Sequence, residues 1–179
     1  NYRFVNRIQI RIREVAVKTQ TCCFTGHRQI PPQQNLKIYK CLKAEITNLI
    51  ENGVVNFVTG GALGFDTLAA QAVLELRQRY AHIKLQLILP CKNQTAKWRT
   101  ADQIVYENIK KACNGYIYVS DLYTQGCMQK RNRRLVECCA YCICYLTEPF
   151  GGTAYTAFCQ KERPENHQFG AENGKINDT

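Results

Sequence analysis

Residues 54–66 read VVNFVTGGALGFD, and this stretch decides the fold. Its first five residues are mostly apolar and predict a buried strand, while Leu68, Ala72 and Leu76 recur at helical spacing after it. Three glycines lie between the strand and the helix. A turn of this kind lets the backbone approach an anion, and the helix that follows offers unpaired N–H groups. The stretch therefore predicts a phosphate-binding loop.

The same order of strand, turn and helix recurs along the chain. Thr25-Gly26-His27-Arg28 follows the first apolar run, and Phe150-Gly151-Gly152-Thr153 follows the last. Hydrophobic periodicity predicts strands at 21–25, 54–58, 85–89, 116–119 and 141–146, and helices at about 34–52, 67–80, 100–113 and 130–139. Alternating strands and helices predict a three-layer α/β fold: a mainly parallel sheet of about five to six strands with helices on both faces. The turns should then share one edge of the sheet.

The composition indicates one ordinary domain. The chain has 179 residues, of which 45% are apolar, enough for one core and too few for two. No apolar segment suits a secretory signal or a membrane span. The chain contains eleven cysteines, and without an export signal we expect them to be reduced thiols in a cytoplasmic protein. We expect a basic extension or edge strand at 1–20, the domain at 21–160, and a poorly ordered tail at 161–179, where few residues are bulky and apolar.

The formal net charge of +10 favours partners that carry phosphates, whether a mononucleotide or a nucleic acid. The charge does not choose between the two, and both remain open. The cysteines of Cys138-Cys139-x-x-Cys142-x-Cys144 do not form paired knuckles of the kind that zinc requires. They straddle a helix end and a strand, which favours buried thiols, so no metal site is predicted.

Five motifs in order carry a resemblance to a known family, the YpsA-like proteins, also called the domain of unknown function 1273. The motifs are Cys23-Phe24-Thr25-Gly26-His27-Arg28, Gly60-Gly61-Ala62-Leu63-Gly64-Phe65-Asp66, Pro90-Cys91 with Gln94 and Trp98, Arg131-Asn132-Arg133, and Gly151-Gly152-Thr153 with Thr156. That family belongs to the SLOG superfamily of Rossmann-like folds. The resemblance covers about residues 21–160 and implies a nucleotide ligand, such as NAD, ADP-ribose or a nucleoside phosphate, held by a sensor or regulator. It implies no settled reaction.

The motifs and the glycine turns together give a set of candidate ligand-binding residues. They are Thr25, Gly26, His27, Arg28, Gly60, Gly61, Ala62, Gly64, Asp66, Trp98, Arg131, Asn132, Gly151, Gly152, Thr153 and Thr156. Arg131 is suited to bidentate contact with phosphate. Asp66 has two readings, a helix cap or an acceptor for a ribose hydroxyl. His27 contacts the ligand or acts as an acid, and Trp98 stacks on a base or covers the core.

Two other functions stay open. The Lonely-guy nucleotide hydrolases of the same superfamily use a glutamate after the second glycine turn, but the corresponding residue here is Phe158. A phenyl ring cannot transfer a proton, which argues against that chemistry, and no catalytic residue is assigned. The second alternative is single-stranded nucleic-acid binding, as in the DNA-processing members of the superfamily. A homo-oligomer is compatible with either function.

Overall fold

A computed structural model of the chain describes residues 17–146 and 167–170. These residues form one six-stranded sheet with strand order β4-β3-β2-β1-β5-β6, and every neighbouring pair is parallel. The strands are β1 (Thr21–Gly26), β2 (Asn56–Thr59), β3 (Lys84–Leu89), β4 (Gly115–Tyr118), β5 (Tyr141–Leu146) and β6 (His167–Gly170). The predicted α/β class and its parallel sheet are confirmed.

Four helices connect the first five strands: α1 (Pro32–Glu51), α2 (Phe65–Leu76), α3 (Thr100–Ala112) and α4 (Cys127–Cys138). Helix α1 begins two residues before the predicted Gln34 because Pro32 occupies the first helical position, where its missing N–H is not needed. Helix α4 begins three residues before the predicted Lys130. Gly126 precedes it with a φ of 85°, a conformation that glycine adopts without strain.

The core lies on both faces of the sheet because successive side chains of a strand point to opposite sides. On one face, α1, α2 and α3 cover large side chains such as Phe24, Phe57 and Leu87. On the other face, Leu135 of α4 packs with Val58 and Ile88, together with four cysteines, Cys23, Cys139, Cys142 and Cys144. The predicted three-layer arrangement is confirmed, and Cys142 and Cys144 share a face as expected.

The order of the strands sets the position of a binding crevice. From β1 the chain moves outward through β2, β3 and β4, and β5 then returns to the other side of β1. The direction of winding therefore reverses between β1 and β5. In open parallel sheets, ligands bind beyond the carboxyl ends of the strands at such a reversal.

The segment 161–179, where we expect a poorly ordered tail, contains one element of the sheet. Residues 167–170 form β6 and pair in parallel with β5. A strand edge supplies backbone partners to these four residues even where few apolar side chains are available. The basic stretch before residue 17 and the remainder of the tail lie outside the described residues, so the domain limits stay predictions.

Candidate functional site

A cavity of about 390 Å³ lies at the carboxyl end of β1, beside the first turns of α2 and α4. It therefore lies at the carboxyl edge of the sheet, beside one of the two strands between which the winding reverses, where ligands bind in open parallel sheets. Four segments of the chain supply its walls: the turn after β1, the glycine loop after β2, α2 and α4. The lining residues are Thr25, Gly26, His27, Arg28, Ala62, Asp66, Met128, Gln129, Arg131 and Asn132.

A buried ion pair forms the base of this cavity. Arg131 Nη1 lies 3.3 Å from Asp66 Oδ2, and the two side chains are only 10% and 4% exposed. The same carboxylate oxygen accepts a hydrogen bond of 3.2 Å from the backbone N–H of Ala62. Asp66 therefore closes the glycine loop and orients Arg131, and it does not cap α2. The ribose-contact reading of Asp66 stays a prediction.

Arg131 retains unused hydrogen-bonding capacity. Its Nε is buried and has no partner among the described residues, although an unmade bond of a buried charged group is costly. Among the residues that line the cavity, Arg28 and Arg131 carry positive charge and Asp66 alone carries negative charge. One positive charge is thus in excess. An anion with several acceptor oxygens would satisfy both the charge and the Nε donor.

Burial governs the protonation of Asp66. Removal from water raises the pKa of its carboxyl group, while Arg131 and the hydrogen bond from Ala62 lower that pKa in part. Arg28 also lowers the pKa by Coulomb attraction. The carboxylate is consequently held by its neighbours against an environment that favours the neutral acid.

The glycine loop shapes the cavity because its glycines lack a Cβ, which leaves room for neighbouring side-chain and backbone atoms. A Cβ added to Gly60 would lie 1.3 Å from Arg131 Nη1, and one added to Gly64 would lie 2.4 Å from the carbonyl oxygen of Arg28. Gly64 also has a φ of 74°, which side chains rarely tolerate. We expected these glycines to admit a phosphate to the backbone. In the structure, the space beside them holds the arginine and the turn after β1.

The turn after β1 is joined directly to this loop. The carbonyl of His27 accepts a hydrogen bond of 3.1 Å from the N–H of Phe65, and the His27 ring meets the ring of Tyr145 edge-on, with 6.0 Å between centroids. Arg28 is exposed and its Nη2 donates to the sulfur of Met128 at 3.9 Å. Two cavity walls are therefore linked by a backbone hydrogen bond, with an exposed cation at the rim.

The structure brings together most of the predicted site residues. Eight of them line the cavity, namely Thr25, Gly26, His27, Arg28, Ala62, Asp66, Arg131 and Asn132. Gly60 contacts Arg131, and the carbonyl of Gly61 accepts a hydrogen bond from Gln94. Trp98 does not line the cavity. Its ring packs edge-on against Tyr106 with 5.5 Å between centroids, beside the core.

Part of the predicted site falls outside the described residues. The second glycine turn, with Gly151, Gly152, Thr153 and Thr156, lies there, as does Phe158, the position of the hydrolase glutamate. Conversely, Met128 and Gln129 line the cavity and were missed from sequence. The signal for them was Gly126, since a glycine before a helix allows the first turn to begin earlier than the apolar spacing indicates.

Two further observations limit the kinds of site. Within residues 17–146 and 167–170, no three histidine, cysteine or acidic side chains cluster as metal ligands would. Over the same residues, we find no helix with the length and apolar content that a bilayer crossing requires.

Comparison with known proteins yields a family match over most of the chain. The model of the YspA SLOG family (YpsA) matches residues 23–173. A UPF0398 protein from Brevibacillus brevis is 36% identical over 86 residues, which are 48% of this chain and 44% of that protein. The chain spans about half the length of the first relatives that it matches.

Solved structures share the fold at low identity. DNA processing protein A (DprA) from Streptococcus pneumoniae superposes with a TM-score of 0.62 at 19% identity, covering 90% of this chain and 53% of that one. A structure describing the single-stranded DNA binding mode of the Helicobacter pylori protein gives a TM-score of 0.59 at 19% identity, covering 93% and 71%. These likenesses concern the fold alone.

Proposed function

This chain belongs to the YpsA family of SLOG proteins, and from that premise we propose that it binds a nucleoside phosphate at the cavity beside Arg131. The observation that carries the proposal is the buried guanidinium of Arg131, whose Nε has no partner among the described residues and which lines the cavity. A phosphate group offers the several oxygens that such a donor requires. NAD, ADP-ribose and nucleoside monophosphates all belong to this class.

The surroundings of Arg131 support an anionic ligand over a neutral one. The excess positive charge lies at the carboxyl edge of a parallel sheet, and the first turn of α4 borders the same cavity. The N–H groups of a first turn and the helix dipole both favour a negative group. The cavity volume of about 390 Å³ lies within the range of small-molecule sites. Thr25 and Asn132 add polar side chains to the wall of the cavity.

The test compares two arginines that differ in position. Arg28 lines the cavity and is exposed, so Arg28→Ala removes a cation from the rim without opening the core. Arg133, an exposed residue of α4 outside the lining set, gives the matched control Arg133→Ala. Titration calorimetry with ADP-ribose, NAD and AMP should give a Kd about tenfold weaker for Arg28→Ala, since a charge-assisted hydrogen bond is worth about 1.5–3 kcal/mol. Arg133→Ala should match the wild type.

The same samples also test for turnover. Chromatography of each mixture would reveal released base or a cleaved phosphoester, and stabilisation of the protein without new products supports a sensor or regulator. The proposal fails if no nucleotide raises the Tm or gives a binding isotherm. It also fails if Arg28→Ala and Arg133→Ala have the same affinity as the wild type for every ligand that binds.

A second candidate is single-stranded nucleic acid. It is favoured by the exposed basic side chains Lys130, Arg133 and Arg134 on α4, the helix whose first turn borders the cavity, and by the fold shared with the H. pylori protein. Nucleic-acid binding weakens steeply with salt because each neutralised phosphate releases counterions. Arg133→Ala would then weaken oligonucleotide binding and flatten its salt dependence, while leaving affinity for ADP-ribose unchanged.

A further inference from the structure

A second cavity lies on the opposite face of the sheet from α1, α2 and α3. It has a volume of about 380 Å³ and is bounded by β2, β3, β4 and the last turns of α4. Val58, Ile88 and Ile117 contribute apolar walls, while Arg134 and Cys138 contribute a guanidinium and a thiol. This cavity has no part in the proposed nucleotide site. It gives a small solute access to Cys138.

Cys138 belongs to a contiguous group of thiols. Its Sγ lies 3.3 Å from Cys139 Sγ, and it donates to the carbonyl of Leu135 at 3.4 Å. Cys139 is fully buried and shares a cluster with Cys23 and Cys142. No disulfide links the cysteines of the described part of the chain. One half-buried thiol at a cavity wall therefore contacts a buried thiol directly behind it.

The two contacting thiols differ in their electrostatic surroundings. The hydrogen bond from Cys139 lowers the pKa of Cys138, and the Arg134 guanidinium lowers it further. Burial and the neighbouring cysteines raise the pKa of Cys139. Cys138 is thus the nucleophile of the pair, since the thiolate is the reactive form, and Cys139 retains its proton.

We propose that Cys138 and Cys139 are a reversible thiol-oxidation site for small hydroperoxides, with Cys138 at the cavity as the reacting thiol and Cys139 as the resolving thiol. The Cys138 thiolate attacks one oxygen of the hydroperoxide. The O–O bond breaks, the alkoxide leaves and takes up a proton to form an alcohol (water, from hydrogen peroxide), and a sulfenic acid remains on Cys138. Cys139 then attacks that sulfur, a disulfide forms, and the sulfenic oxygen leaves as water after accepting the thiol proton. Two thiols lose two electrons and the peroxide gains them.

The position of the pair makes the reaction specific. The Arg134 cation, which lies 3.9 Å from Glu137, also stabilises the Cys138 thiolate, and the limited volume of the cavity favours a small oxidant over a bulky one. The buried partner lies within contact distance before any movement, so the sulfenic acid meets a thiol before it meets a second peroxide. A dithiol reductant restores the pair by exchange.

The experiment follows oxidation of the full chain by hydrogen peroxide. Reduced protein is exposed to a small excess of peroxide, alkylated and digested with trypsin. Cleavage after Arg134 and Lys161 yields one peptide with Cys138, Cys139, Cys142, Cys144 and Cys159. Fragmentation of this peptide after Ala140 should give an amino-terminal fragment that contains Cys138 and Cys139. That fragment should carry no alkyl label and should be two hydrogen atoms lighter than the same fragment with two free thiols. Reduction before alkylation should restore both labels.

Variants assign the two roles. Cys139→Ala keeps a small apolar side chain in the buried position and should accumulate a sulfenic acid at Cys138, which dimedone traps. Dimedone should label Cys138 in this variant, because the Arg134 guanidinium that favours its thiolate is still present, whereas Cys41, the exposed cysteine of α1, reports the background oxidation of a surface thiol. Cys138→Ser should abolish both the disulfide and the adduct. Cys113→Ser, which replaces another half-buried cysteine, serves as the matched control and should behave as the wild type.

Three results would overturn the proposal. They are an unmodified Cys138 under conditions that oxidise Cys41, a disulfide from Cys138 to a residue other than Cys139, and an intact disulfide signal in Cys138→Ser. Circular dichroism of each variant before oxidation shows whether the fold is retained. The nucleotide titrations do not enter any of these readouts, so the two proposals fail separately.

Discussion

The Asp66–Arg131 pair and the Lys43–Glu75 pair contain the same kinds of charge in opposite environments. The first joins α2 to α4 with side chains that are 4% and 10% exposed. The second joins α1 to α2 with side chains that are 33% and 47% exposed, and Glu75 also accepts a hydrogen bond of 2.7 Å from Tyr39. In the exposed pair, water can hydrate either charged group if its partner is lost. In the buried pair, water reaches neither group.

This difference separates a solvent-screened surface pair from a buried one. In the exposed pair, Coulomb attraction is screened and offset by side-chain entropy. In the buried pair, each charge depends on the other because neither has water as a substitute. A fold retains such a pair at a cost in desolvation. At this position the pair holds a partly unsatisfied guanidinium in a fixed place beside a cavity, which a surface arginine would not do.

The largest effect is expected from breaking the buried pair. Arg131→Met keeps the length of the side chain and removes its charge, which leaves the Asp66 carboxylate buried without its partner. Loss of one member of a buried pair costs about 3–5 kcal/mol, and urea unfolding at neutral pH measures it. Arg133→Met, on the exposed side of the same helix, should change the free energy of unfolding by less than about 0.5 kcal/mol. Equal effects of the two variants would contradict the role assigned to the buried pair.

A smaller effect is expected from crowding the pair without removing it. A Cβ at residue 60 overlaps Arg131 Nη1, so Gly60→Ala must displace the guanidinium from Asp66, at a cost of about 1–3 kcal/mol. Gly115→Ala is the control because a Cβ there meets no atom within 4 Å. Urea unfolding and ADP-ribose titration should both distinguish the two variants. If Gly60→Ala unfolds and binds as Gly115→Ala does, Arg131 is not held by the glycine loop.

The smallest effect is a contrast in pH dependence. The folded state raises the pKa of Asp66, so its contribution to stability is fully present below the ordinary aspartate pKa of about 3.9 and is lost as pH rises through the folded value. Hydrogen bonds from Lys43 and Tyr39 lower the pKa of Glu75. Its contribution is present above the ordinary glutamate pKa of about 4.3 and is lost as pH falls through the folded value.

The measurement for this contrast is the free energy of unfolding of Asp66→Asn and Glu75→Gln relative to wild type, followed from about pH 3 to pH 7. The stability of the wild type relative to Asp66→Asn should decrease with rising pH. Its stability relative to Glu75→Gln should increase. Slopes of the same sign would show that burial does not dominate the protonation of Asp66.

The sequence predicted the elements of the fold more closely than their ends. Strand β5 has the predicted limits, and the helices begin within three residues of their predicted starts. The errors occur where local conformation overrides hydrophobic spacing, as at Pro32 and Gly126. Strand β6 could not be predicted because its pairing depends on the edge of β5 and not on its own apolar content.

The candidate site was predicted as a set of residues without their roles. The motifs placed Asp66 and Arg131 in one site although 64 residues separate them in the chain, since both follow turns at the carboxyl edge. They gave no sign that the two side chains pair. Trp98, for which the sequence left two readings, shows what the tertiary structure adds. A lone tryptophan between basic residues resembles a stacking platform, but only the position of Tyr106 shows that its ring packs beside the core.

The sequence by itself determined the α/β class, the parallel sheet and the edge on which the turns lie, because hydrophobic period and glycine position act over a few residues. The tertiary structure alone decided that the space beside Gly60 belongs to Arg131, that Asp66 holds that arginine, and that Cys138 contacts Cys139 beside a second cavity. These contacts depend on distances between elements remote in sequence, and no local pattern encodes the identity of the atom that fills a given space.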